Sequence, residues 1–227
     1  MISIFDQTNR KMILFSVSII SLLFISCATN NDVDEKVDPN YFPMNVGNYW
    51  IYNYYEIDSL GNEKQIEGYD SILITKDTLI NNRHFWWFRS QQTVRVFGNC
   101  LADSAGYLID QTGNKYFSST NFTDTLMNYD YREEYSESHK LVMSIRIVMQ
   151  KEAVQKTTPL ATFTALVARE YVTFFNTHDK PCRLTCDKYY CKDIGLVVDT
   201  YTYNNYEWEK KKYEKRLVRY KLIDKKP

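Results

Sequence analysis

Residues 141–149 read LVMSIRIVM, and the alternation in this stretch decides the fold class. Every second residue is apolar: Leu141, Met143, Ile145, Ile147 and Met149. Polar Ser144 and Arg146 lie between them. Successive side chains of a β-strand point to opposite faces, so a period of two is typical of a half-buried strand. The stretch therefore predicts a strand with one face against a core.

Similar segments follow one another along residues 41–223. Residues 218–222 alternate in the same way, and this alternation favours a strand over a helix for the Glu- and Lys-rich residues 207–221. Further segments rich in β-branched and aromatic residues are predicted as strands at 47–57, 71–76, 83–90, 93–97, 163–175 and 194–203. Hairpin turns are expected where Asn and Gly accept positive φ, at Asn81-Asn82, Thr112-Gly113-Asn114 and Asn204-Asn205.

These patterns predict an all-β or mainly β domain over residues 41–223 with little helix. The antiparallel sheet is expected to form a sandwich or a curled half-barrel. In the segment 83–90, Phe85 and Trp87 oppose Trp86 and Phe88, so both faces of the strand are apolar. Such a strand must be covered on both sides. A filled core is the plainer interpretation, and a concavity that holds lipid or another ligand is the alternative.

Composition argues against a nucleic-acid partner. The 227 residues carry 28 Lys+Arg and 28 Asp+Glu, so the chain has no excess of positive charge to displace counterions from phosphate. Aromatic residues make up 15% of the chain, with 19 Tyr, whereas Gly and Pro number only 7 and 5. This composition is typical of a chain that buries a core.

The N-terminus resembles a bacterial lipoprotein signal. Arg10 and Lys11 precede an apolar run over residues 12–26 that is shorter than the roughly 20 residues of a membrane-spanning helix. Residues 23–27 read LFISC, which resembles the lipobox. That resemblance implies cleavage after residue 26 and lipidation of Cys27, including a palmitate, which would attach the protein to a membrane. The alternative is an uncleaved membrane anchor with an incidental cysteine.

Residues 27–40 are polar and acidic, so they are predicted to form a flexible tether, and 224–227 a short tail. Asp32, Asp34 and Glu35 resemble a signal that in Bacteroidota directs lipoproteins to the outer face of the outer membrane. The alternative is a solvated linker. The expected location is the cell envelope, lipid-anchored at the outer membrane, on its periplasmic or surface face.

Four motifs resemble a family of uncharacterised Bacteroidota lipoproteins. Residues 42–52, FPMNVGNYWIY, resemble the opening F-P-x-x-x-G-N-x-W-x-Y of that family, and 77–85 resemble its D-T-x-I-N-G-K-x-Y hairpin. Residues 190–197 and 217–220 resemble its Y-A-K-G-V-G-L-V turn and its final L-V-x-Y strand. Asp193 replaces a usual glycine and Cys191 a usual alanine. Some members resemble the LolA/LolB-like half-barrels that handle lipoproteins or lipid, which is an analogy of fold only.

Four cysteines remain beside Cys27: Cys100, Cys182, Cys186 and Cys191. An even number in an exported protein predicts disulfides, whose pairing stays open. Reduced thiols are one alternative. A zinc site built from the last three with His178 is another, although the spacing is not that of a zinc knuckle. We therefore predict structural disulfides and no metal.

Signals for an enzyme are weak. His84, His139 and His178 are scattered, and no phosphate-binding loop, nucleophile elbow or HExxH motif is present. Four carboxylates would share one face if their segment were helical, but a solvated acidic patch explains them better: Asp130, Glu133, Glu134 and Glu137. The sequence predicts no catalytic residues and no cofactor.

Five triplets of the form D-[S/T]-aliphatic resemble the O-glycosylation acceptor of exported Bacteroidota proteins. Their hydroxyl residues are Ser59, Ser71, Thr78, Ser104 and Thr125. The alternative is that Asp caps amides where turns lead into strands.

Three functions remain open. The first is a non-enzymatic envelope lipoprotein that acts as an accessory or binding module. The second is a lipid or lipoprotein carrier with an apolar concavity. The third is a surface glycan-binding protein that uses Trp50, Trp86, Trp87 and Trp208 as stacking platforms, although core packing is the plainer role for them.

Overall fold

The computed structural model describes residues 40–90, 100–133, 140–175, 181–204 and 210–223. These residues belong to the compact unit Asp38–Pro227. They form thirteen strands: β1 (Tyr49–Ile57), β2 (Glu63–Ile80), β3 (Arg83–Ser90), β4 (Cys100–Ser104), β5 (Tyr107–Asp110), β6 (Lys115–Ser118), β7 (Thr125–Arg132), β8 (Leu141–Met149), β9 (Val154–Thr157), β10 (Thr162–Phe174), β11 (Cys182–Cys191), β12 (Gly195–Asn204) and β13 (Lys210–Lys221). No helix long and apolar enough to span a membrane occurs among the described residues.

All strands belong to one antiparallel sheet that curls into a nearly closed, barrel-like shape. Its order is β6-β5-β4-β3-β2-β1-β13-β12-β11-β10-β8-β7, and β9 pairs with β10 beside this path. The first and last strands, β1 and β13, pair at the middle of the sheet. At its two ends, β6 lies against β7 and β8. The sheet therefore has a concave inner face and a convex outer face.

The all-β prediction is confirmed, and of the two predicted architectures the curled sheet is the one that forms. The strand predicted at 83–90 from its aromatic residues and the strand predicted at 141–149 from its alternation have these same bounds in β3 and β8. Residues 210–221 form β13, as the alternation at its end indicated. Asn81 and Asn82 adopt φ of 50° and 60° in the β2–β3 turn, and Gly113 adopts 90° between β5 and β6. The segment 93–97 and Asn205 lie outside the described residues.

The core explains why β3 is apolar on both faces. A large apolar cluster fills the concave side, and Trp86 and Phe88 pack against it. A smaller cluster of Phe85, Cys100, Ala102 and Ile109 covers the other face of the β3–β5 region, and Trp87 packs against it. Each face of β3 thus has its own apolar partners.

The FPMNVGNYWIY motif joins the beginning of the domain to its end. Asn48 is fully buried; its side-chain amide donates to the carbonyl of Pro43, and its Oδ1 accepts a hydrogen bond of 2.6 Å from the amide of Ile223. Gly47 adopts φ of 93°, and a Cβ added there would lie 3.4 Å from Ile223. The Gly-Asn pair therefore supplies a backbone shape, one buried hydrogen bond and one half-buried hydrogen bond that other residues do not provide together.

Asp193 stands where the motif that the sequence resembles has glycine. It adopts φ of 61° in the turn between β11 and β12, which is the left-handed region where glycine is unstrained. Its amide donates to the carbonyl of Asn40, so the turn is also tied to the start of the domain.

Candidate functional site: an amphipathic cavity in the curled sheet

The concave face encloses a cavity of about 500 Å³. One part of its wall is apolar and is formed by residues from both halves of the sheet: Trp50, Ile72, Phe88, Leu101, Leu108, Met127, Ile147 and Leu196. Alternation places these side chains inward from eight different strands. The concavity that the two-faced strands left open as an alternative is therefore present, beside a packed core.

The segment before β1 forms another part of the wall. Residues 41–44 line the cavity, and the ring of Phe42 lies 5.0 Å from Phe117 on β6 and 5.7 Å from Tyr190 on β11. Phe117 and Tyr190 are themselves 4.5 Å apart, measured between ring centroids. The F-P motif thus crosses the concave side and helps to bound the cavity. Edge-to-face packing of this kind holds aromatic rings in fixed positions.

The polar end of the cavity is a row of alternating charges on neighbouring strands. We call it the charge ladder, and it consists of Glu170 (β10), Lys188 (β11), Asp199 (β12), Lys215 (β13) and Asp70 (β2). Lys188 lies directly opposite Asp199, and Asp199 directly opposite Lys215 in the register of the sheet. Between β13 and β2, Tyr52 of β1 lies opposite Asp70.

Short ion pairs hold the charge ladder together. Lys215 Nζ lies 3.2 Å from Asp70 Oδ2 and 3.8 Å from Asp199 Oδ2. Lys188 Nζ lies 2.8 Å from Glu170 Oε2. At the far end, the hydroxyl of Ser90 donates a 2.6 Å hydrogen bond to Asp70 Oδ1. Opposite charges on directly facing strand positions stabilise a sheet, and paired charges tolerate burial better than single ones.

Tyrosines surround the charge ladder. The Lys215 ammonium lies 5.0 Å from the ring centroid of Tyr52, whose hydroxyl donates to the carbonyl of Leu196 over 2.8 Å. Tyr54, Tyr190 and Tyr201 also line this end. The cavity therefore joins an apolar section to a section of charges and aromatic rings.

The pKa shifts of residues in and around the charge ladder show the effect of its carboxylates, which make the electrostatic potential there negative. Burial by itself would lower the pKa of Lys188, but the carboxylates of Asp199 and Glu170 outweigh it and hold that pKa above its usual range. Burial, and then the charge of Asp199, raise the pKa of Tyr201 to about 12. The pKa values of Tyr52 and Tyr54 rise for the same reasons, with Asp70 as the first charge to contribute.

The arrangement is suited to binding an amphipathic molecule. Cys186 lines the cavity, and burial raises the pKa of its thiol, which keeps it protonated and a weak nucleophile. Among the described residues, no cluster of three or more His, Cys, Asp or Glu is arranged to hold a metal. His178, the fourth residue of the considered zinc set, lies outside the described residues, as does His139.

The predicted disulfides are not confirmed. No disulfide is formed by Cys100, Cys182, Cys186 or Cys191 in the structure. Three of them share the single strand β11, where four residues already span about 13 Å, whereas bonded cysteines need Cα atoms about 4–7 Å apart. Cys100 packs in the smaller cluster, while Cys186 faces the cavity. An even number of cysteines did not reveal that three would lie along one strand.

The three tryptophans that the structure describes do not form an exposed platform. Trp50 is buried, with its indole N–H donating 2.7 Å to the carbonyl of Ile194. Trp86 and Trp87 are half-buried against the two apolar clusters, and the Lys76 ammonium covers Trp87 at 4.8 Å. Core packing, the plainer role considered for them, is the one observed. Trp208 lies outside the described residues.

The remaining candidates lie away from the cavity. His84 is exposed on β3 with its Nδ1 3.7 Å from Asp77. Asp130 lies in β7 rather than in a helix, and Glu133 follows that strand, so the helical acidic face is wrong for these residues. Glu134 and Glu137 lie outside the described residues, as do Cys27, Asp32, Asp34 and Glu35.

The five hydroxyl residues predicted as glycan acceptors fall into two groups. Ser59, in the β1–β2 turn, and Thr125, at the start of β7, are exposed. Ser71 and Thr78 are half-buried within β2, and Ser104 is half-buried at the end of β4. The D-[S/T]-aliphatic pattern therefore does not mark a single kind of position in the fold.

Sequence reasoning missed the charge ladder because its members are scattered. Charged residues within strands are normally assigned to a solvated face, and only the strand order brings positions 70, 170, 188, 199 and 215 side by side. Each of them has apolar or aromatic neighbours two residues away on its strand, as Asp70 has Ile72 and Lys188 has Tyr190. Because residues two apart on a strand share a face, these apolar neighbours indicated that the charged side chains point into the sheet's concave side.

No protein-family model and no curated protein matches this chain. Solved structures with a similar fold include a candidate lipoprotein from Parabacteroides distasonis, at 12% identity and a TM-score of 0.41, covering 81% of this chain and 99% of its own. They also include a candidate exported protein with a YmcC-like fold from Bacteroides fragilis, at 13% identity and a TM-score of 0.47, with the same coverage. At these identities the resemblance is one of fold alone.

Proposed function

We propose that this protein is a membrane-anchored envelope lipoprotein whose β-domain binds one small amphipathic molecule and performs no catalysis. The observation that carries the proposal is the cavity of about 500 Å³ with an apolar wall and a charged end. Binding sites for small molecules are concave and mostly apolar, with a few polar groups that orient the ligand. The anchor is the lipid expected on Cys27, which would keep the cavity near a membrane that supplies such molecules.

The carrier alternative from the sequence belongs to this proposal, because a carrier must shelter an apolar part of its cargo from water. Glycan capture has less support, since the described tryptophans pack in clusters instead of offering exposed rings. A size of about 500 Å³ is suited to one small molecule, not to a polymer.

A cavity-filling substitution tests the proposal. Ile72 lines the cavity, whereas the next residue, Leu73, is 39% exposed on the opposite face of β2. The test uses residues 38–227, which hold every described strand, after circular dichroism and thermal melting have shown that this part is folded. The fluorescent apolar probe N-phenyl-1-naphthylamine is expected to bind with one site. Ile72→Trp should abolish this binding because the indole occupies the space of the probe.

The matched control is Leu73→Trp, which adds the same side chain one residue away but outside the cavity. It should bind the probe as the unchanged protein does. If the folded protein does not bind the probe, or if both variants bind it equally well, the cavity is not a ligand site and the proposal is wrong.

A further inference from the structure

Carboxylates outnumber ammonium groups in the cavity. The charge ladder contains Asp70, Glu170 and Asp199 against Lys188 and Lys215, so it carries one net negative charge when all five are ionised. Glu67, which is exposed, lines the same cavity and adds a further negative charge. Among the described residues that line the cavity, the positive charges are those of the two lysines.

Both lysines are already held by carboxylates. Lys215 lies within 4 Å of Asp70 and of Asp199, and Lys188 pairs with Glu170 at 2.8 Å. A ligand carboxylate or phosphate would have to displace one of these pairs and leave a buried protein carboxylate without its cation. That loss is costly, because a buried charge needs a partner. The charge ladder therefore disfavours an anionic head group.

A positively charged head group would not have to displace any of these ion pairs. It can join the ladder beside Asp199 or Glu170 without breaking a pair, and it compensates the excess negative charge. The tyrosine rings of this end offer a second attraction, since ammonium groups bind to aromatic faces, as Lys215 does on Tyr52. The raised pKa of Lys188, a partly buried amine, shows that the field here favours positive charge despite burial.

We propose that the charge ladder selects an amphiphile whose head carries a positively charged nitrogen, while its apolar part lies against Trp50, Ile72 and Leu196. This proposal rests on the ligand-binding function proposed above. It adds the charge of the ligand, which the presence of a cavity does not determine.

Three probes with the same chain and different heads test this selectivity: dodecylammonium, dodecanol and dodecanoate. Each displaces N-phenyl-1-naphthylamine from residues 38–227 at pH 7.5, below its micelle-forming concentration. Dodecylammonium is expected to displace the probe at a concentration at least about tenfold lower than dodecanoate, with dodecanol between them. Equal displacement by all three, or displacement first by dodecanoate, would overturn the charge preference while leaving ligand binding intact.

Two variants locate the effect. Asp199→Asn removes the central carboxylate and is expected to reduce the preference for dodecylammonium over dodecanoate by about tenfold. Asp77→Asn makes the same change of charge at an exposed position on β2 and should leave the preference unchanged. An equal effect of both variants would show that the preference comes from overall charge and would overturn the assignment to the charge ladder. Failure of every probe to bind, N-phenyl-1-naphthylamine included, would overturn the proposed function as well.

Discussion

Asn48 is a single residue on which both ends of the domain depend. Its side chain connects the segment before β1 with the segment after β13. Its backbone carbonyl also accepts a 2.9 Å hydrogen bond from the amide of Ile74. If the Asn48 side chain is removed, its partners lose their hydrogen bonds. The cost of leaving these polar groups unsatisfied is larger than the net contribution of the hydrogen bonds themselves.

We expect Asn48→Ala to lower the free energy of unfolding by about 3 kcal/mol, because it leaves a buried carbonyl and a half-buried amide without their partner. Urea unfolding followed by circular dichroism measures this change. Asn45→Ala is the control, since Asn45 donates to the carbonyl of the same Ile223 but in an exposed position. It should cost less than about 1 kcal/mol. An equal loss in both variants would contradict the role assigned to burial.

At the scale of the element, a strand could be predicted where it is long enough to show alternation or a run of aromatic residues. Alternation predicted β8 and aromatic residues predicted β3 with their correct bounds, but β4, β5 and β6 have four or five residues each, too few to show a period. In β4, Cys100, Leu101 and Ala102 are all buried, because both faces of the sheet are covered there. β11 was not among the predicted strands, and its cysteines were predicted only as partners in disulfides. In these strands tertiary packing, rather than local pattern, decides the structure.

Two hairpin turns of the sheet share one sequence and one geometry. Residues 58–62 and 110–114 both read Asp-x-x-Gly-Asn, and in each the Asp side chain accepts hydrogen bonds from the amide and side chain of the Asn four residues later. The two turns differ in environment. Asp58 is exposed, whereas Asp110 is buried and also accepts a 2.7 Å hydrogen bond from the hydroxyl of Tyr116.

The buried turn should make stability depend on pH. Burial acts to raise the pKa of Asp110, but the hydrogen bonds from Tyr116, Thr112 and Asn114 outweigh it and lower this pKa to about 2. A carboxylate with a lowered pKa stabilises the fold above its unfolded pKa of about 4. That contribution, about 2 kcal/mol, is lost as the pH falls from about 4 towards 2.

Asp110→Asn is therefore expected to be less stable than the unchanged protein at pH 7, and this difference should shrink by about 2 kcal/mol by pH 2. Urea unfolding at a series of pH values measures it. Asp58→Asn, in the exposed copy of the turn, should show a smaller effect. A stability difference for Asp110→Asn that does not change between pH 5 and pH 2 would contradict this account.

At the scale of the whole molecule, the curling of the sheet brings its inward aromatic and apolar side chains together. They form a packed core and also bound a cavity. Inward residues from both halves of the chain, such as Trp50, Leu101 and Ile147, surround one space. The zero formal net charge conceals a local imbalance, because the charge ladder lies inside while many other charges lie outside. The sequence could predict that a concavity was one option, but not its volume or its charges, which depend on strand order and register.

The central claim, that the cavity holds a small amphipathic molecule, is tested most directly by native mass spectrometry of the protein purified from its own envelope. We predict one non-covalently bound small molecule that is released on activation. It should be present in the unchanged protein and in Leu73→Trp, and absent from Ile72→Trp. If the folded protein carries no bound small molecule in any of the three samples, the account is wrong.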